Sequence, residues 1–96
     1  MFFDEFIPGE VDKYGFGMTA GNGRFHFMVA FSDEDGDRVR QLCLSRHRDL
    51  RRLDGKPMKW FADEARAVDK FRNNKKACHK CLRAIETIEL NLAEVD

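Results

Sequence analysis

Cys78-His79-Lys80-Cys81 carries the one Cys-x-x-Cys spacing in the chain, with Cys43 and His47 upstream. Three thiolates and an imidazole form a ligand set that zinc accepts in a tetrahedral site, so Cys43, His47, Cys78 and Cys81 make a zinc candidate. The same cysteines have a plainer reading. Cys78 and Cys81 continue an apolar stripe through Leu82, Ile85, Ile88 and Leu92 at spacings of three and four, and free cysteine is among the most buried residue types. The helical pattern also sets the pair deep inside a helix, away from the N-terminus that would activate a thiol for redox chemistry. The expectation is therefore core cysteines, with no metal and no cofactor, and the four-residue zinc set as the alternative.

Basic residues form the second group. Arg46, Arg48, Arg51, Arg52, Lys56 and Lys59 crowd one short stretch beside Trp60, opposed only by Asp49 and Asp54. Arg72, Lys75, Lys76, Lys80 and Arg83 follow on a helical pattern. Guanidinium groups offer rigid donor forks for phosphates or carboxylates. Trp60 and His47 are suited to stacking on bases.

These residues stand out because charge is sorted along the chain. Residues 1–37 carry eight acids and two bases, a net of −6. Residues 38–83 carry fifteen bases and five acids, a net of +10, and residues 84–96 add four acids. The formal total is zero. Segregation of this kind points to an interaction surface for an anionic partner, or to basic and acidic faces that neutralise each other within the fold.

Other motifs fall away on inspection. Asp33-Glu34-Asp35-Gly36-Asp37 lacks the glycine and glutamate positions of a calcium loop and reads as a hairpin turn. Gly21-Asn22-Gly23 leads into a strand, so it cannot cradle phosphate at a helix end. His26, His47 and His79 are scattered, and Ser32 and Ser45 lack a nucleophile-elbow context. No catalytic residue is expected.

The elements that must position these groups follow from periodicity. Phe25, Phe27, Val29 and Phe31 alternate with His26, Met28 and Ala30, which predicts a strand with one aromatic face and leaves His26 exposed or half-buried. Tyr14–Thr19 and Asp37–Ser45 read as flanking strands, and Met58–Phe61 as a sheet edge. His47–Leu53 is ambiguous between strand and helix. From Ala62 the pattern is helical, with Asn73-Asn74 as its weakest point.

The expected fold is α+β in a single domain, residues 1–96. An N-terminal arm (1–12) precedes a three- to four-stranded antiparallel meander (13–61) and a helical region (62–93) formed by one long or kinked helix. The aromatic face should meet Phe71, Leu82 and Ile85.

The meander followed by Met58-Lys59-Trp60-Phe61-Ala62-Asp63-Glu64-Ala65-Arg66-Ala67-Val68 resembles the strand-to-helix junction of small β-β-β-α DNA-binding modules, such as plant ethylene-response and integrase-arm domains. The resemblance implies a sheet that docks in the major groove. It covers this short stretch only, and the more apolar strands, longer helix and acidic hairpin turn depart from that pattern.

The functional expectation is a small non-catalytic module that binds nucleic acid through Arg46, Arg48, Arg51, Arg52, Lys56, Lys59, Trp60, Arg72, Lys75, Lys76, Lys80 and Arg83. The alternative is a protein–protein adaptor or inhibitor using its acidic and basic surfaces, with an acidic protein surface or a second copy as partner. The longest apolar run, Phe27–Phe31, is far short of a membrane span. An odd cysteine count and the lack of a signal peptide at the N-terminus make the reducing cytoplasm the expected location.

Overall fold

The structure is a computed structural model that describes residues 7, 9–18, 23–44 and 47–94, with backbone alone for 89–94. Most of the expected arm, the Gly21-Asn22 turn, Ser45 and Arg46 lie outside the described residues. Five strands form one antiparallel sheet: β1 (Glu10–Gly17), β2 (His26–Asp33), β3 (Gly36–Gln41), β4 (His47–Asp49) and β5 (Met58–Phe61), in the order β4-β3-β2-β1-β5. Helices α1 (Glu64–Arg72) and α2 (His79–Glu94) follow. The fold is α+β, but the sheet has five strands, with β5 added beside β1 rather than beside β4, and two shorter helices stand where one was expected. β1 begins at Glu10, inside the segment read as an arm.

The helix divides at Asn73-Asn74 because both residues turn the chain. The Asn73 backbone N–H bonds to the Asp69 and Phe71 carbonyls, and the Asn74 side chain accepts from the Lys76 N–H at 2.9 Å. Short polar side chains that bond to nearby backbone favour turns over helix interiors. α1 is capped at its start by Asp63, whose carboxylate accepts from the Ala65 N–H at 3.0 Å. Asp63→Ala should therefore destabilise the domain by about 1 kcal/mol, read as an earlier unfolding midpoint at unchanged denaturant slope.

The ambiguous stretch contains both structures. β4 pairs with β3, and Leu50–Leu53 then tightens into a 3₁₀ turn capped by Asp49. Since β4 and β5 are opposite edges of the sheet, the connection between them must cross one face.

That crossing explains the largest departure from expectation. Phe27, Val29 and Phe31 face the helices, in a core with Tyr14, Phe16, Val68, Phe71, Cys81 and Ile85. On the opposite face His26, Met28 and Ala30 are also buried, at 6%, 1% and 0% exposure. Leu53 and Leu44 line a cavity with Met28 and Val39 on that second face. β2 is thus buried on both sides. Phe25, expected in the aromatic face, is only partly buried and precedes β2, held by a backbone bridge to Ala77.

The other edge of the sheet depends on two glycines of β1. A Cβ at Gly15 would lie 2.3 Å from the Lys59 carbonyl oxygen and 2.6 Å from the Trp60 ring. A Cβ at Gly17 would lie 2.4 Å from the Pro57 carbonyl oxygen. The alternation of large and small residues in Tyr14-Gly15-Phe16-Gly17 therefore leaves the second face of β1 bare, and the indole of Trp60 lies across it.

Candidate metal centre and basic surface

Three segments converge at one end of the sheet. His26 is the first residue of β2, and Cys43 lies two residues beyond the end of β3. A turn closed by Leu44 N–H to the Gln41 carbonyl at 2.9 Å carries Cys43. The start of α2 is stitched to the same place. Phe25 N–H donates to the Lys76 carbonyl at 2.9 Å, and Cys78 N–H donates to the Phe25 carbonyl at 2.8 Å. Leu82 N–H then bonds to the Cys78 carbonyl at 3.0 Å, which sets Cys78 at the cap and Cys81 in the first turn. The Cys-x-x-Cys is at a helix start, not deep inside a helix as the periodicity predicts.

The ligand atoms of His26, Cys43, Cys78 and Cys81 all lie within 4.8 Å of one another. His26 Nδ1 is 3.5 Å from Cys43 Sγ, and Gln41 Nε2 donates to that sulfur at 2.9 Å. His26 thus takes the position in the ligand set expected for His47. His47 sits instead on edge strand β4 with its ring edge-on to Phe31, centroids 5.1 Å apart. Nothing in linear spacing ties His26 to the cysteines. The one sequence signal is a histidine opening an otherwise apolar strand.

The environment distinguishes the two sulfurs of the motif. Burial pushes the Cys78 thiol up, but the backbone N–H groups of Cys81 and Lys80, with the Cys81 and Cys43 side chains, outweigh it and hold the thiol below its ordinary value. Burial drives Cys81 well up, opposed by the Phe27 N–H and reinforced by neighbouring Cys43 and Cys78. Burial also lowers His26, which keeps its imidazole neutral.

The expected basic surface is divided between the two sides of the sheet. On the crossover side, Arg48, Arg52 and Lys56 line a 170 Å³ cavity with Gln41 over a floor of Met28, Val39, Leu44 and Leu53, and among the described residues no acid lines it. Lys13, absent from the expected set, lies over the Trp60 ring at 4.7 Å from its centroid. A base could stack there only by displacing it. Arg51 points elsewhere, held by Asp49 at 2.9 Å. That hydrogen bond, with the Arg51 backbone N–H, brings the Asp49 carboxyl down to about 2.

On the helix side, Lys59 lines a separate groove with Phe16, Phe61, Lys70 and Asn73. Arg72, Lys75, Lys76, Lys80 and Arg83 are exposed along α1, its linker and α2. Arg46 lies outside the described residues. The twelve expected residues are therefore not one continuous surface.

Acids gather at the opposite end of β2. The Ser32 hydroxyl lies 3.0 Å from Asp12 and 3.2 Å from Asp37, next to the turn in which Asp33 accepts from the Asp35 N–H at 2.8 Å. Comparison of the chain with family models, curated proteins and solved structures finds no match. Among the described residues no helix is long and apolar enough to cross a membrane.

Proposed function

We propose that this protein is a small non-catalytic binding module that holds nucleic-acid phosphates on the crossover side of its sheet. The observation that carries this reading is the cavity lined by Arg48, Arg52 and Lys56, with no acid lining it among the described residues. Guanidinium forks and an ammonium around one recess suit phosphate oxygens. Trp60 serves as a support for Lys13 in this reading, rather than as an open stacking platform. In this reading the protein works in the cytoplasm, whose reducing conditions would keep its three cysteines as thiols.

With the helix-side cations pointing away, about three phosphates are contacted, so log affinity for duplex DNA should fall with log salt at a slope of about −3. Fluorescence anisotropy with a labelled duplex at several salt concentrations measures it. Arg52→Glu with Lys56→Glu, both exposed positions, should weaken binding and flatten the slope by about two. No binding at low salt, or an unchanged slope in the double variant, would reject the reading.

The second reading is a protein–protein adaptor. The acids around Ser32 at one end of β2 and the cations of the crossover favour it, because a bipolar molecule can orient on a protein or on a second copy of itself. Retention on immobilised heparin supports nucleic acid. Salt-sensitive dimers in light scattering without heparin retention support the adaptor.

A further inference from the structure

We infer that His26, Cys43, Cys78 and Cys81 bind one zinc ion in a closed structural site that ties the start of α2 to the ends of β2 and β3. Four donors of the types zinc selects meet around one point, from segments far apart in sequence. Their mutual separations reach at most 4.8 Å, and His26 Nδ1 and Cys43 Sγ, 3.5 Å apart, are already as close as the edge of a tetrahedron built on Zn–S bonds of about 2.3 Å requires. Small side-chain rotations close the wider separations.

Chance packing of cysteines explains less. Apolar filling requires no polar partners, yet each sulfur here is served by a donor. Gln41 Nε2 reaches Cys43. The Lys80 and Cys81 N–H groups reach Cys78, and the Phe27 N–H reaches Cys81. Donors aimed at ligating sulfur are the outer shell that steadies a metal–thiolate centre. The buried imidazole of His26, 6% exposed at the start of β2, completes the set.

A redox dithiol is the weaker explanation. It needs two cysteines and an accessible attacking sulfur. Here Cys81 is 0% and Cys78 9% exposed, and a third cysteine and a histidine face the pair. With four protein ligands no coordination position stays open, so the site's role is architecture and not catalysis. Zinc held by these four residues would join β2, the turn after β3 and the start of α2 at one centre, which couples metal binding to folding.

The test uses the full chain expressed with zinc in the medium and purified without chelator. Native mass spectrometry and elemental analysis should find about one zinc per chain. Cobalt(II) should replace it, with the ligand-field bands of a tetrahedral site and a thiolate charge-transfer band. Removal of zinc by a strong chelator should lower the melting temperature, and zinc alone should restore it.

Variants separate the ligands from the packing. His26→Cys keeps a four-thiolate set and should retain zinc. His26→Ala should weaken zinc by more than the roughly 10–100-fold typical of a lost outer-shell partner. His47→Ala should leave zinc stoichiometry unchanged. A metal-free chain with an unaltered melting temperature in chelator would overturn the inference. So would iron in place of zinc, a Cys78–Cys81 disulfide in the freshly purified protein, or equal zinc retention in His26→Ala and the parent.

Discussion

Phe27→Ala is expected to destabilise the domain by about 3–5 kcal/mol, a large part of the stability of a domain this size. Phe27 is fully buried in the middle of β2. Its ring meets Phe71 of α1 edge-on, centroids 5.4 Å apart, and Phe71 in turn packs on Phe16 at 5.7 Å. Removal of the ring leaves a cavity where sheet and helix meet, and the central strand cannot collapse to fill it, because Met28 is buried against the crossover on its other side. Denaturant titration followed by circular dichroism measures the effect. Cooperative unfolding at a near-parental midpoint would refute this packing.

Gly15→Val should be the most damaging change in the β1–β5 pairing. The new side chain would collide with the Lys59 carbonyl oxygen at 2.3 Å, a backbone atom that can move only by opening the ladder. It would also strike the Trp60 ring, which must leave its place across β1. Overpacking of this kind typically costs about 1–3 kcal/mol, and lost strand pairing adds to it. Because Trp60 is the only tryptophan, its fluorescence reports the displacement directly. A red-shifted emission in the folded variant is expected, with a lower unfolding midpoint. An unchanged spectrum and midpoint would mean that the indole does not lie over Gly15.

Gly15→Val also bears on the proposed surface. Trp60 carries Lys13 on its face, so Gly15→Val should weaken any phosphate binding that depends on Lys13, while leaving the His26–Cys81 cluster intact. The cluster and the crossover are therefore separable by mutation.

The linear sequence was enough for those features that rest on neighbours in the chain. Alternation along Phe27–Phe31 determined the strand and its aromatic face. Asn73-Asn74 determined where the helix breaks, because their side chains compete locally for backbone bonds. Met58–Phe61 was legible as an edge strand. Sequence spacing also marked Cys43, Cys78 and Cys81 as a group.

Tertiary structure decided everything that depends on a crossing. β4 and β5 are close in sequence but lie at opposite edges, and local periodicity carries no information about which face the link between them covers. That crossing covers Met28 and gathers Arg48, Arg52 and Lys56 around one recess, while Lys59 goes to the helix side. The fourth member of the cysteine cluster was likewise invisible in one dimension. His47 is the histidine nearest Cys43 in sequence, but the antiparallel return of β3 along β2 carries Cys43 back to His26, and the bridge from Phe25 to Ala77 brings the start of α2 to the same point. Proximity there is set by strand register and by two backbone hydrogen bonds, not by separation along the chain.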